Sequence, residues 1–85
     1  MSVKLYVGNL PKSITQPELT TLFNQAGDVI VADLITDRIS GESKGFAFVT
    51  MSSQSEAEKA IHLFNLYPLN EQAIKVNIAK PSFQP

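Results

Sequence analysis

Apolar and polar residues alternate through "VKLYVG" (3–8), and the run stops at "GNLPKS", whose turn residues and proline mark a short strand followed by a loop. The period changes in "TQPELTTLFNQAG", where Leu19, Leu22 and Phe23 fall on one stripe at helical spacing. Thr15 precedes them as an N-cap, Pro17 sits in the first turn, and Glu18 stands three residues after the cap, which together predict a helix start. Gly27 suits the C-terminal stop. The β-rich "VIVADLIT" (29–36) leads through turn residues into "KGFAFVTM" (44–51), so the two predict a hairpin around loop 37–43. A second helix is expected from Ser53 or Ser55, each followed three residues later by a glutamate. Ala57, Ala60, Ile61 and Phe64 form its apolar stripe, and Pro68 stops any extension. "AIKVNIAK" (73–80) alternates again and predicts a last strand before the tail "PSFQP".

Two amphipathic helices and one four-stranded sheet pack most simply as two layers, an α+β arrangement with both helices on one sheet face. Alternation then sorts the strand residues. Leu5, Val7, Ala47, Val49, Met51, Ile74, Val76 and Ile78 are aliphatic and suit the face under the helices. The opposite set holds Lys4, Tyr6, Gly8, Lys44, Phe46, Phe48, Thr50, Lys75, Asn77 and Ala79, a mixture of rings, lysines and amide that suits an open face. Taking Leu34 as buried puts Asp33 on that open face, unless a bulge in "VIVADLI" resets the alternation before Ala32.

Composition narrows the function classes. At 85 residues the chain fits one domain, 1–85, with a core over about 3–80 and a short tail at 81–85. It has no cysteine, which excludes disulfides, thiolate metal sites and thiol nucleophiles. No segment approaches the roughly 20 apolar residues of a bilayer span, and residues 1–10 lack a signal-peptide core, so an intracellular, cytoplasmic setting is expected. A net charge of −1 gives no strong general attraction to polyanions. Its distribution is uneven, however: Lys4, Lys44, Lys75 and Lys80 lie on or beside the open face, and Glu18, Glu56 and Glu58 lie on the helices. Three rings on adjacent strands invite a partner, and flat rings among cations suit stacked nucleobases, at about 1–3 kcal/mol per base.

"LYVGNL" (5–10) and "KGFAFVTM" (44–51) resemble the shorter and longer ribonucleoprotein signatures of the RNA recognition motif family, in the expected order and about 40 residues apart. The longer one fits at every position but the last, where Met51 replaces an aromatic residue in the buried set. The chain is similar to the small single-domain bacterial members. The resemblance implies a ferredoxin-like βαββαβ sandwich whose antiparallel sheet is ordered 4-1-3-2 and binds single-stranded RNA across its open face. It also implies that Tyr6, Phe46 and Phe48 form the stacking platform and that Lys44 meets phosphate. Lys75, Asn77 and Lys80 make backbone and base-edge contacts on this basis, Arg38 reaches in from the hairpin loop, and Lys4 and Asn9 complete the RNA-binding set. Single-stranded DNA is a second candidate ligand, the domain is expected to be monomeric, and no cofactor is implied. Three positions depart from the family pattern. Asp33 and Glu42 are acidic where basic or neutral residues are common, and "NLYPLNEQ" lacks the usual glycine, which predicts a differently shaped turn.

Two other functions compete. The same fold serves as a protein-interaction module in some relatives. A small acyl-phosphate hydrolase has the same architecture, but that chemistry needs an arginine in a phosphate-cradling loop, and the only arginine, Arg38, lies in the hairpin loop. No Ser-His-Asp order or carboxylate pair stands out, so catalysis is not expected. His62 sits off the apolar stripe and reads as a surface residue. Asp33, Asp37 and Glu42 lack calcium-hand spacing, so no metal is expected.

Overall fold

In the computed structural model, which describes residues 2–69 and 71–79, the first helix begins where its capping signals lie. Thr15 Oγ1 accepts from the Glu18 amide and the Glu18 carboxylate accepts from the Thr15 amide, closing a capping box at the head of α1 (Gln16–Asn24). Ser53 is the N-cap of α2 (Gln54–Phe64), its hydroxyl accepting from the Glu56 amide. Strands β1 (Val3–Gly8), β2 (Val29–Thr36), β3 (Ser43–Met51) and β6 (Lys75–Ile78) form one antiparallel sheet in the order β2-β3-β1-β6. With β6 as the fourth long strand, this is the 4-1-3-2 order expected from the sequence, read from the other edge. Among the described residues, no helix is long and apolar enough to cross a membrane.

The aliphatic set packs as predicted. Leu5, Val7, Ala47, Val49, Met51, Ile74 and Val76 are fully buried against Leu19 and Phe23 of α1 and Ala57, Ala60 and Phe64 of α2. The Phe23 and Phe64 rings meet at 5.1 Å, joining the two helices at the centre of the core. Both helices therefore lie on the side away from Tyr6.

Four details differ from the sequence pattern or sharpen it. Gly27 does not end α1, which is capped at Gln25. A Cβ on Gly27 would lie 2.5 Å from the Glu56 side chain, so its bareness admits that carboxylate, which also bonds Ser52 Oγ. The Ser52 hydroxyl holds the Glu56 pKa below its usual value. Ile78, placed in the buried set, is 38% exposed, since it ends β6 at the margin of the core. The last strand is also interrupted. Gln72–Ala73 (β5) pairs with Pro68–Leu69 (β4) in a separate small hairpin, and the sheet strand resumes at Lys75. The glycine-free turn is shaped by Leu66 and Glu71, both left-handed at φ 67° and 69°, and is tied down by Asn65 Oδ1 accepting from the Val76 amide. Finally, β2 does contain a register break: Val29 faces Met51 but Val31 faces Thr50, so Ile30 is the extra residue.

Candidate nucleic-acid interface

Antiparallel pairing sets the open-face residues in rows, because directly opposed residues project to the same side. One row runs Asp33, Phe48, Tyr6, Asn77; a second runs Phe46, Gly8, Lys75; a third runs Val31, Thr50, Lys4. The three expected platform rings thus come together. Tyr6 and Phe46 stack at 6.1 Å with planes 28° apart, and Phe48 stands edge-on to both, 5.9 Å from Tyr6 and 6.1 Å from Phe46. Tyr6 is exposed and the two phenylalanines are half-buried by one another and the sheet. The Lys4 ammonium lies 4.9 Å from the centre of the Phe48 ring, a cation–π contact that holds a positive charge among the rings.

Two glycines shape this surface. A Cβ on Gly8 would come within 2.8 Å of the Tyr6 ring, so the tyrosine leans over bare backbone. Gly45, the glycine of the longer signature, has φ +97° and sits at the second irregularity between β2 and β3, where its carbonyl accepts from the Leu10 amide at 2.9 Å. A side chain is strained at that backbone conformation. Substituting Gly8→Ala is expected to displace the Tyr6 ring while sparing the core, and, if the face binds RNA as the signature resemblance implies, to weaken that binding about tenfold, within the roughly 1–3 kcal/mol of one stacked base. Paired titrations and thermal melts of the variant check this, and a fold loss without a binding loss contradicts it.

The remaining predicted residues fall around the rings. Lys75 is exposed beside Gly8, and Asn77 is exposed beside Tyr6. Asn9 takes a left-handed backbone, φ 58°, and its side-chain amide donates to the Ala73 carbonyl at 2.8 Å, which engages that donor in the fold and leaves the side-chain oxygen. Lys44 is exposed at the start of β3 and lines a shallow depression with Lys12, Asp37 and Phe46. Lys12 is a cation that the strand pattern did not single out, because it lies in the loop after β1. Arg38 is exposed in the loop between β2 and β3, next to the almost wholly exposed Ile39. Lys80 lies outside the described residues. Asp33 is exposed opposite Phe48, as its alternation with Leu34 predicts. The bulge at Ile30 adds Val31 to the same face, and the only sequence sign of it was the unbroken run "VIVA".

The hairpin loop is held by its own aspartate. Asp37 Oδ1 accepts from the Ser40 and Ile39 amides at 3.0 and 2.7 Å. These bonds, the Ser40 one foremost, hold the Asp37 pKa below its usual value, with a smaller contribution from the nearby Lys44 charge. Because the folded-state pKa is depressed, the loop's stabilisation is complete above the ordinary aspartate range and is lost as pH falls through the lower folded value. The Ser40 and Ile39 amide resonances should accordingly titrate with a midpoint below that of an unstructured aspartate. A midpoint at the ordinary value would contradict the turn.

Among the described residues no cluster of acidic or histidine side chains suits a metal. An apolar groove of about 390 Å³ lies in the helical layer, between Ile14, Pro17 and Leu22 on one side and Leu69 on the other, and takes no part in the ring platform.

Comparison with known proteins matches this arrangement. The chain is 47% identical over 79 residues to the chloroplast RNA-binding protein CP29B of Arabidopsis thaliana, covering 93% of this chain and 27% of that protein. It thus spans about a quarter of the length of such curated relatives. Among solved structures, the RNA-binding protein PG1 superposes with a TM-score of 0.85 at 35% identity, each chain covered to 98%. The Rna15 RRM with bound RNA (GU) superposes with a TM-score of 0.86 at 26% identity, covering 95% of this chain and 86% of that one. The family model of the RNA recognition motif matches residues 5–75, a span that holds both signatures, all three rings and the βαββ core. With fold, strand order and signature residues in agreement, the chain belongs to the RNA recognition motif family.

Proposed function

We propose that the domain binds single-stranded RNA across the face carrying Tyr6, Phe46 and Phe48, as a binding module and not an enzyme. The observation that carries this is the convergence of the three rings, all within 6.1 Å of one another, on the face that the helices leave open. Membership of the family and the superposition on an RNA-bound relative support it. In this account bases stack on the rings, and Lys4, Lys44, Lys75 and Arg38 meet phosphates. Lys80 joins them by its place in the sequence. Asn77 reads a base edge beside Tyr6, and Asn9 contributes its free oxygen while bracing the loop after β1. Residues 1–85 act as one monomeric unit that also accepts single-stranded DNA, because stacking and phosphate contact do not depend on the 2′-hydroxyl. The chloroplast names belong to the relatives and lend a cytoplasmic setting no support.

The test is a titration of short RNAs and DNAs of the same sequence at several salt concentrations. With two to four of these five cations engaged on a phosphate at once, affinity should be of order micromolar, and log K should fall against log salt with a slope of about −1.4 to −2.8, at ~0.7 per contact. A slope steeper than about −6 would show that cations beyond this face, or a second copy of the chain, take part.

A further inference from the structure

We propose that Asp33 makes the Phe48 position select a base bearing N–H donors on its Watson–Crick edge, guanine foremost, over uracil. The inference rests on the RNA-binding reading of the open face and deepens it. A phenylalanine ring alone does not discriminate, since every base offers a π-face. Discrimination must come from whatever meets the base edge. Asp33 is directly opposite Phe48 across the β2–β3 pair, and directly opposed residues hold their Cβ atoms about 4.5–5.5 Å apart, so a base stacked on Phe48 brings an edge within reach of the carboxylate. On the other flank of Phe48 stands Tyr6, another stacking ring, and the Lys4 ammonium 4.9 Å from the Phe48 ring centre can only donate, so Asp33 is the charged acceptor beside Phe48.

The chemistry of the side chain sets the sign of the preference. An ionised carboxylate only accepts hydrogen bonds. Asp33 is exposed, and its carboxylate accepts none from the described residues, so both oxygens are free for a ligand. Guanine presents the N1–H and the N2 amino group side by side, two donors for two oxygens. Cytosine and adenine each offer one amino group, and cytosine N4 is a known partner of acidic side chains. Uracil offers a single N–H between two carbonyl oxygens, which the carboxylate repels. Asp33 also repels phosphate, but that effect is the same for every sequence and therefore cancels in a ratio of affinities.

That ratio is the measurement. Wild type and Asp33→Asn are titrated with uridine hexamer and with the same hexamer carrying one central guanosine, whose register can slide to bring guanine onto Phe48. Wild type should bind the guanosine oligomer at least about fivefold more tightly, the lower end of a good base-edge pair. In Asp33→Asn, whose amide both donates and accepts, the ratio should fall towards one while the uridine hexamer binds more tightly. A wild-type ratio near one, or a ratio unchanged by the substitution, overturns the assignment of Asp33 and leaves the RNA-binding face intact. Absence of binding by wild type to either oligomer overturns the RNA-binding reading itself. Asp33 is exposed on the edge strand, and a melt of each variant confirms that it is folded; Asp33→Ser, which removes the charge with a smaller polar group, must give the same loss of ratio.

Discussion

Replacing Phe46 and Phe48 together by alanine should reduce RNA binding to near the limit of detection in a domain that remains folded. Each ring supports a stacked base worth about 1–3 kcal/mol, so the pair contributes ~2–6 kcal/mol. A micromolar complex has only about 8 kcal/mol in all, and the loss moves the dissociation constant towards or beyond millimolar. Stability falls too, though less. Both rings are half-buried and pack on Tyr6 and on each other. The substitution removes all three contacts, each worth about 0.5–1.5 kcal/mol, so a loss of ~1.5–4.5 kcal/mol and a drop in Tm of roughly 6–36 °C are expected. Isothermal titration below the new Tm separates the two effects. Normal binding by the folded double variant would remove the platform from the account.

The same chemical change at Phe23 should do the opposite. Phe23 is fully buried under α1 and meets Phe64 at 5.1 Å. Truncating such a ring to alanine costs about 3–5 kcal/mol through lost transfer energy and the cavity left behind. A domain of this size has about 4–13 kcal/mol of total stability, so Phe23→Ala takes away roughly a quarter or more of it and lowers Tm by ~12–40 °C. Whatever fraction stays folded should bind RNA with unaltered affinity, because Phe23 lies on the far side of the sheet from Tyr6. Denaturant melts and binding at low temperature read the two quantities independently. Three phenylalanines thus divide by face and not by residue type: a period of two in β3 sends Phe46 and Phe48 outward, and a helical period in α1 sends Phe23 inward.

That division was legible in the sequence because it needs only periodicity. The N-cap of α1 was legible for a similar reason, since a capping box is a local pattern of three or four residues, whereas the α2 cap was narrowed to Ser53 or Ser55 and lies at Ser53. What was not legible depends on contacts between distant segments. Gly27 looked like a helix stop, but the constraint on it comes from Glu56, 29 positions away in the chain. Asn9 stood out only as part of the RNA-binding set, and nothing local signalled that its side-chain amide also braces Ala73, 64 positions away. Ile78 continued an apolar alternation beyond the point where the helices still cover the sheet. The bulge at Ile30 lay between the two: the run of β-branched residues allowed it, but only pairing with β3 fixed which residue is extra, and so put Val31 on the open face. Asp33 kept its predicted side because its own alternation was counted from Leu34, beyond the bulge.

That RNA lies on the sheet and not on the helices is tested most directly by mapping backbone amide shifts during titration with a short single-stranded RNA. The amides of Tyr6, Phe46, Phe48 and Asn77, on three adjacent strands, should shift together and saturate at one affinity. Those of Leu19 in α1 and Leu63 in α2 should stay in place. Shifts concentrated at Leu63, Leu66 and Tyr67, the exposed apolar residues at the end of α2 and just after it, with β1 and β3 unmoved, would contradict the claim.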